Sequence, residues 1–573
     1  MELSNLWQKV RDHTKAMSAR RVALIRAAII GLVAGCSALA LEYGAWWLSK
    51  MRVQACNVYP AWLALPLIGL VGGLLSGFLV QKFSPTAYGS GIPQVRAYLL
   101  GARVPLDFTL ALVKLVGGSI ALGCGLFMGR EGPTVHVGAA MAALLNRWLP
   151  APKDVERQLV AAGAGAGLAA AFNAPIAGVL FVAEELLKDV SSGTIGTAIL
   201  ACFVASTLTH TLNAPHMESA QQIRALEVSF HFHDVLFWIV LGTLAGLFGT
   251  WFNRGVILFL RINRDYLKLP VMLRVGLAGL ISGLVISAMP ADANFRDYAA
   301  LRDVIVAGHE QWYMVPVAFV AFSFLTLLAY GSGAPGGLFA PAIVLGSALG
   351  AMVSYLQNYL FNMSSTETMA MVGMGAFFAA VARVPITAVV IIFEITGHYS
   401  LVLPLMVASA IACFVGSRME KGSVYDMLRE YSGLEEAARR AREDEQKHAG
   451  DLMKPPKNCV DSELAPEKLF DAIKQTHIAS LTVVDGEQYV GMVDSKSVLS
   501  LLSLSSTSMS SSHQLIDKDA PLVAPNTSLA ELVLKFKESS AETIPVVEDG
   551  KLLGIIDKAD LYEYISPANP SNE

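Results

Sequence analysis

The chain has 573 residues, 54% of them hydrophobic and only 16% charged, against about 25% charged in an average soluble domain. Its formal net charge of −4 comes with no basic patch interleaved with aromatics, so no nucleic-acid partner is expected. Six cysteines (Cys36, Cys56, Cys124, Cys202, Cys413, Cys459) are scattered without CxxC or Cys/His spacing, which argues against a disulfide framework and against a structural metal.

Residues 1–20 are polar and basic (Lys9, Arg11, Lys15, Arg20) and read as a cytoplasmic N-terminal segment. The apolar run Val22–Leu48 follows directly. It is too long for a signal peptide and reads as the first spanning helix, with Arg26 able to snorkel. Further apolar segments are expected near 60–81, 107–128, 134–149, 158–187 and 193–212. After a polar stretch, Asn213–Glu227, they resume near 233–261, 271–289, 313–330, 340–361, 369–396 and 401–417. The longer ones contain Pro175 and Pro385, which must kink or end a helix, and the shortest do not cross fully. The fold class is an α-helical polytopic membrane protein followed by a soluble α/β part.

Three Gly/Pro stretches interrupt this apolar region: GSGIP at 89–93, GREGP at 129–133 and GGLFAP at 336–341. An unpaired backbone group in lipid costs several kcal/mol, so a broken helix survives only when buried in protein or lining a cavity. Helix N-termini created there present free N–H groups and partial positive charge to an anion. Glu131 lies inside the second break, where an ionisable group is expensive and functional by default.

The region divides into two repeats, about 21–215 and 233–430. Gly163–Glu184 aligns with Gly373–Glu394 at an offset of 210 (373 − 163), pairing Pro175 with Pro385 and Glu184 with Glu394. A second register, offset 208 (337 − 129), pairs Gly129 with Gly337 and Pro133 with Pro341, so Glu131 and Phe339 occupy equivalent places in related breaks. Such duplication points to a transporter site at mid-membrane. The residues themselves leave parallel and inverted repeats both open.

Residues 431–448 form a charged, helix-prone linker whose Arg439, Arg440 and Arg442 favour a cytoplasmic C-terminus. Two α/β units follow, 449–508 and 513–568. Strands are expected at Leu481–Val484 and Tyr489–Val493 around Asp485-Gly486, and at Thr543–Val547 and Leu552–Ile556 around Asp549-Gly550. Helices near 465–475 and 527–538 precede these hairpins, and a flexible Ser/Thr-rich linker, Ser503–Ser512, separates the units.

Five stretches carry a family resemblance: GSGIP, GREGP, AAGAGAGLAAAFNAPIAGVLFVAEE at 161–185, GSGAPGGLFAP at 331–341, and KGSVYD at 421–426. In this order, over about residues 21–568, the chain resembles the CLC family of chloride channels and chloride/proton exchangers ending in a pair of CBS domains. The resemblance implies inverted repeats and a homodimer with one anion pathway per subunit. It implies chloride ligands at Ser90, Gly91, Glu131, Leu338, Phe339 and Tyr425. A hydroxyl and a phenol can each donate one hydrogen bond, and glycines let backbone amides approach closely. Without the resemblance, Ser90 reads equally as a serine satisfying freed backbone, and Tyr425 as an interfacial residue.

A carboxylate at a site built for anions can take an ion's place, and protonation releases it, so Glu131 is expected both to gate and to carry the proton. The bland reading pairs it with Arg130. Glu184 and Glu185 by themselves read as solvated boundary carboxylates. The resemblance makes Glu185 the internal proton-transfer residue of the exchangers, while Glu184 and Glu394 serve structure. Lys114 and Arg130 raise the local positive potential, although Lys114 could equally snorkel. His231 and His233 lack a third metal ligand.

In the C-terminal part, Asp560 resembles the ribose-binding carboxylate of nucleotide-binding CBS units, and reads otherwise as a helix cap. Ser497 replaces its counterpart in the first unit. Transport requires no cofactor, and an adenine nucleotide at the CBS pair is the one candidate ligand there. The function expected is chloride/proton antiport through Glu131 and Glu185 in a lipid bilayer. A passive, voltage- or ligand-regulated chloride channel is the alternative. No Ser/His/Asp or Cys/His constellation supports an enzyme. Compact size and short loops point to a multi-pass protein of a prokaryotic plasma (inner) membrane, with both termini cytoplasmic.

Overall fold

A computed structural model describes residues 19–188, 192–212, 234–289, 312–361, 366–456, 459–462, 480–494, 516–539 and 541–565. The chain divides into two compact units at Ala438/Arg439.

The first unit is helical. Helix α1 runs Ala19–Val58, α2 Ala61–Phe83, α3 Ile92–Leu99, α4 Phe108–Gly123, α5 Glu131–Trp148, α6 Lys153–Phe172 and α7 Pro175–Phe181. A π-helical turn, Val182–Leu187, continues α7. Then come α8 Ser192–Thr211, α9 Asp234–Arg261, α10 Val271–Ala288, α11 Met314–Gly331, α12 Phe339–Phe361 and α13 Thr366–Ala382. The unit closes with α14 Pro385–Thr396, α15 Val402–Met419 and α16 Val424–Tyr431, before the linker helix α17 Leu434–Gln446. Eight described helices are long and apolar enough to cross a membrane.

Each expected proline break ends a helix. Asn173-Ala174 separates α6 from α7, and Arg383-Val384 separates α13 from α14, with Pro175 and Pro385 opening the new helices. The first helix outruns its apolar run by ten residues, to Val58, because nothing between Leu48 and Pro60 breaks it. Arg26 is buried within α1, its guanidinium donating to the Pro150 carbonyl at 3.4 Å. The polar stretch Asn213–Glu227, His231, His233 and residues 1–18 lie outside the described residues.

The repeats are joined by reciprocal contacts between equivalent residues. Gly129 and its mate Gly337 form an antiparallel pair, N to O at 2.8 Å one way and 2.6 Å the other. The Glu184 carboxylate accepts from Ile386 N (3.3 Å), Thr387 N (2.8 Å) and Thr387 Oγ1 (2.7 Å) at the start of α14. Glu394 accepts from Ile176 N (3.1 Å) and Ala177 N (2.8 Å) at the start of α7. A residue that pairs antiparallel with its own mate lies beside a two-fold axis, so the two repeats meet about such an axis. The residues before Pro175 and Pro385 are Ala174 and Val384, which have no side chain to cap with. Each half-helix is capped by the other repeat instead.

The second unit holds a short helix α18, Ala449–Leu452, then strands β1 Cys459–Asp461, β2 Ser480–Asp485 and β3 Gln488–Asp494. After them come α19 Leu529–Glu538, β4 Thr543–Glu548, β5 Lys551–Asp557 and α20 Lys558–Ile565. The five strands form one sheet in the order β1-β2-β3-β5-β4. Both expected hairpins are present, and Tyr489 N to Gly550 O (2.8 Å) with Leu552 N to Glu487 O (3.1 Å) joins them. Strand β1, parallel to β2, is additional to the expectation. The helix near 465–475, the linker Ser503–Ser512 and Ser497 lie outside the described residues.

Reciprocal capping predicts that Glu184→Ala and Glu394→Ala each destabilise the purified protein by about 1–2 kcal/mol. Thermal unfolding in detergent measures this; a loss from one variant but not the other would contradict the two-fold arrangement.

Candidate functional site

Three helices begin where the chain breaks. Gly91, in the left-handed region at φ 89°, turns the chain into α3; α5 begins at Glu131 and α12 at Phe339. Their first N–H groups have no intrahelical acceptor. The starts of α5 and α12 are held together by the Gly129–Gly337 pair. Gly89 joins the same core, donating to Ala334 O and accepting from Gly336 N, both at 3.1 Å. A Cβ on Gly132 would lie 2.9 Å from Gly337 Cα and from Ser90 Cα and Cβ, so only glycine lets the three breaks meet.

Lys114 does not snorkel. It is fully buried in α4, and its ammonium donates to the carbonyls of Gly89 (2.5 Å), Ala87 (2.8 Å) and Tyr88 (3.4 Å). One cation thus neutralises the carbonyl side of the loop that carries Ser90.

Ser90 is buried. Its hydroxyl oxygen accepts from Tyr330 Oη and Ile92 N, each at 3.4 Å, so its own proton remains to be donated. Tyr425, second residue of α16, is buried, and its phenol has no hydrogen-bond partner among the described residues. Its ring lies 5.8 Å from that of Phe339, which also packs edge-on to Phe181 (5.6 Å) and Phe378 (4.6 Å). Phe339 therefore supplies an apolar wall as well as a helix N-terminus, with Leu338 buried directly before it.

Glu131 is buried at the start of α5, and Oε2 has no hydrogen-bond partner. The backbone amides of Glu131 itself and of Ala340, in the first turn of α12, face the carboxylate. Arg130 turns away, pairing with Glu42 of α1 at 2.7 Å and donating to Ala171 O at 3.2 Å. The Glu131–Arg130 ion pair is thus absent, and the carboxylate lies between two helix N-termini.

Glu185 is buried on the π-helical turn; Glu184, its neighbour, faces the other repeat. Arg96 Nη1 contacts Glu185 Oε1 at 2.8 Å and Asp426 Oδ1 at 2.9 Å. Sequence reasoning missed Arg96, Asp426, Tyr330 and Glu42. Arg96 and Asp426 lie just beyond GSGIP and beside Tyr425, so their nearness to the motifs was the available signal. Tyr330 sits directly before GSGAPGG in the same way. Asp560, in the second unit, is one-third exposed and bridged to Lys454 at 2.6 Å.

A family model described as voltage gated chloride channel matches residues 72–417, and a CBS domain model matches 513–567. The chain is 33% identical over 422 residues to the H(+)/Cl(-) exchange transporter ClcA of Vibrio parahaemolyticus serotype O3:K6 (strain RIMD 2210633), covering 71% of this chain and 88% of that protein. A solved structure of a slow cyanobacterial Cl-/H+ antiporter is 31% identical, with a TM-score of 0.64, covering 73% of this chain and 99% of the other. A eukaryotic CLC transporter, 23% identical with a TM-score of 0.65 and covering 95% of this chain and 99% of its own, shares the fold.

Because Gly132 admits no Cβ, Gly132→Ala is expected to weaken halide binding by about tenfold or more, since pushing the helix starts apart costs on the order of 1.4 kcal/mol. Calorimetric titration of the purified protein with chloride measures it; unchanged affinity would mean that the three breaks do not share an ion.

Proposed function

The chain belongs to the voltage gated chloride channel family, and from that membership we propose that it exchanges chloride for protons across a membrane, with Glu131 as gate and proton relay. The observation that carries this reading is the Glu131 carboxylate itself, buried between the starts of α5 and α12 without a cationic side chain bonded to it. Amides of the kind that hold a carboxylate there hold a halide equally well. Ionised Glu131 and a chloride ion compete for one place. Protonated, the side chain loses its attraction to the helix starts and leaves the place to chloride.

Chloride is then bound by Ser90 Oγ, the Tyr425 phenol and backbone amides around Gly91, Leu338 and Phe339. The Ser90 proton and the unpartnered Tyr425 hydroxyl are the two side-chain donors that support this assignment. Glu185, a second buried carboxylate, receives the proton from the cytoplasmic side. Two carboxylates in the apolar region, each costing a few kcal/mol to hold ionised, are what proton coupling would require and a passive channel would not.

Two short helices, α7 and α14, present Ile176 and its mate Ile386 outward, 56% and 60% exposed. Neither helix is long enough to span, and we read this apolar face as covered by a second copy in a homodimer with one pathway per subunit. The positive-inside rule puts both termini in the cytoplasm, and the bacterial relatives favour a prokaryotic plasma membrane. The region at 449–508, whose β2–β3 hairpin repeats β4–β5, is read as a first CBS domain beside the second at 513–568. An adenine nucleotide there would use Asp560. Its bridge to Lys454 uses one oxygen, and a carboxylate can still accept from a ribose on the other; the nucleotide would be regulatory, since no transport step needs it.

In liposomes holding the purified protein, a chloride gradient alone is expected to drive protons uphill. Glu131→Gln abolishes that proton movement while chloride still flows. Chloride flux without proton flux in the unmodified protein would replace exchange with a passive channel. Glu185→Gln is expected to lower proton flux by about tenfold or more while chloride flux changes little; equal loss of both would remove Glu185 from the proton path.

A further inference from the structure

One cation in the first unit serves two carboxylates from different elements. Arg96 lies midway along α3, the helix that the Ser90 loop opens. Asp426 follows Tyr425 in α16, and Glu185 sits on the π-helical turn after α7. All three meet at a single guanidinium nitrogen, with Glu185 and Arg96 buried.

We propose that Arg96 is a positioning residue that ties the charge on Glu185 to the placement of Tyr425 and Ser90, the two sides of the anion site. The inference rests on the exchanger reading above. With Glu185 ionised, the trio carries one net negative charge, and Nη1 holds α3, α16 and the π-helical turn together. Protonation of Glu185 leaves Arg96 attracted to Asp426 alone. Helices α3 and α16 remain joined to each other but lose their electrostatic anchor to the turn. Arrival of the internal proton thereby reaches the elements that carry both side-chain donors of the anion site.

The surrounding charges make this a local event. Asp426 stays anchored by the Ser423 amide (3.1 Å) and hydroxyl (3.2 Å) and by Arg429 Nη2 (3.2 Å), whose guanidinium also pairs with Glu435. Lys188, which caps the end of the π-helical turn, acts electrostatically on both Glu185 and Asp426. The far end of α3 is tied to α6 by Tyr98 Oη to Glu156 Oε1 at 2.7 Å. Tyr425 lies within electrostatic reach of Glu185, Glu131 and Tyr330. Among the described residues, the Glu185 contact is the ion pair that joins Arg96 to the π-helical turn, so that contact is the one a proton releases.

Because both contacts use one nitrogen, a lysine ammonium can stand in for the guanidinium, which is not so at a two-nitrogen fork. The test measures chloride and proton fluxes in liposomes for the unmodified protein, Arg96→Gln, Asp426→Asn and Arg96→Lys. Arg96→Gln and Asp426→Asn are expected to keep chloride flux while moving about twofold fewer protons per chloride or less still, and Arg96→Lys is expected to restore most of the ratio. A purely structural role would lower both fluxes together and leave the ratio unchanged, and that result overturns the proposal. If Arg96→Gln does not fold, an unchanged ratio in Asp426→Asn overturns it equally. Absence of proton movement in the unmodified protein would sink the exchanger reading itself and this inference with it. A coupled protein with an indifferent Arg96 would sink the inference alone.

Discussion

The antiparallel pair between Gly129 and Gly337 is the contact on which the first unit depends. Two helices that start in the middle of an apolar region leave backbone groups with no water to turn to. Here each break supplies the other's donor and acceptor, so interruption of one repeat is tolerable only because its mate is interrupted too. The Glu184 and Glu394 caps apply the same rule at the second pair of breaks, where the local residues are alanine and valine. In both cases satisfying the backbone and fixing the two-fold relation are one act.

Closing these breaks against each other concentrates positive potential. The starts of α5 and α12 meet at the Gly129–Gly337 pair, Lys114 stands behind the Ser90 loop, and Arg130 is held aside by Glu42. Neither cation bonds to Glu131. Lys114 is occupied by three carbonyls and Arg130 by a carboxylate and a carbonyl. In the proposed exchange, the attraction on an anion would therefore come from amide dipoles and hydroxyls, which bind a halide without the near-permanence of a contact ion pair. A site that must release its ion at every turnover is better built from such partial charges.

Much of this was legible in the chain. Gly/Pro stretches in an apolar background marked the breaks, and the paired prolines and glutamates at offsets of 208 and 210 marked the duplication. Whether the repeats ran parallel or inverted was not legible, because a residue's pairing with its own mate is a fact of three dimensions. Arg96 was missed for a related reason. In sequence it is one arginine in an eight-residue amphipathic stretch, and only the packing of α3 against two distant elements buries it between Glu185 and Asp426. Lys114 was ambiguous because snorkelling and carbonyl capping require the same long side chain, and the choice depended on whether a loop lay within reach. Strand β1, three residues long, is too short for an alternation to register.

In the exchange proposed above, the two carboxylates differ in what holds them, and that difference would divide their work. Glu131 is faced by backbone amides, with one oxygen unpartnered, so in that reading an anion of similar size would replace it and a proton would free it. Glu185 is held by a buried guanidinium, and a free chloride cannot take its place without leaving Asp426 and the π-helical turn unjoined. A group held by dipoles suits an exchange of anions. A group held by a point charge favours its ionised form, so Glu185 would keep its attachment until a proton arrives and lose it when one does. Both carboxylates are buried, so burial alone would not distinguish a gate from an acceptor; the identity of the donors would.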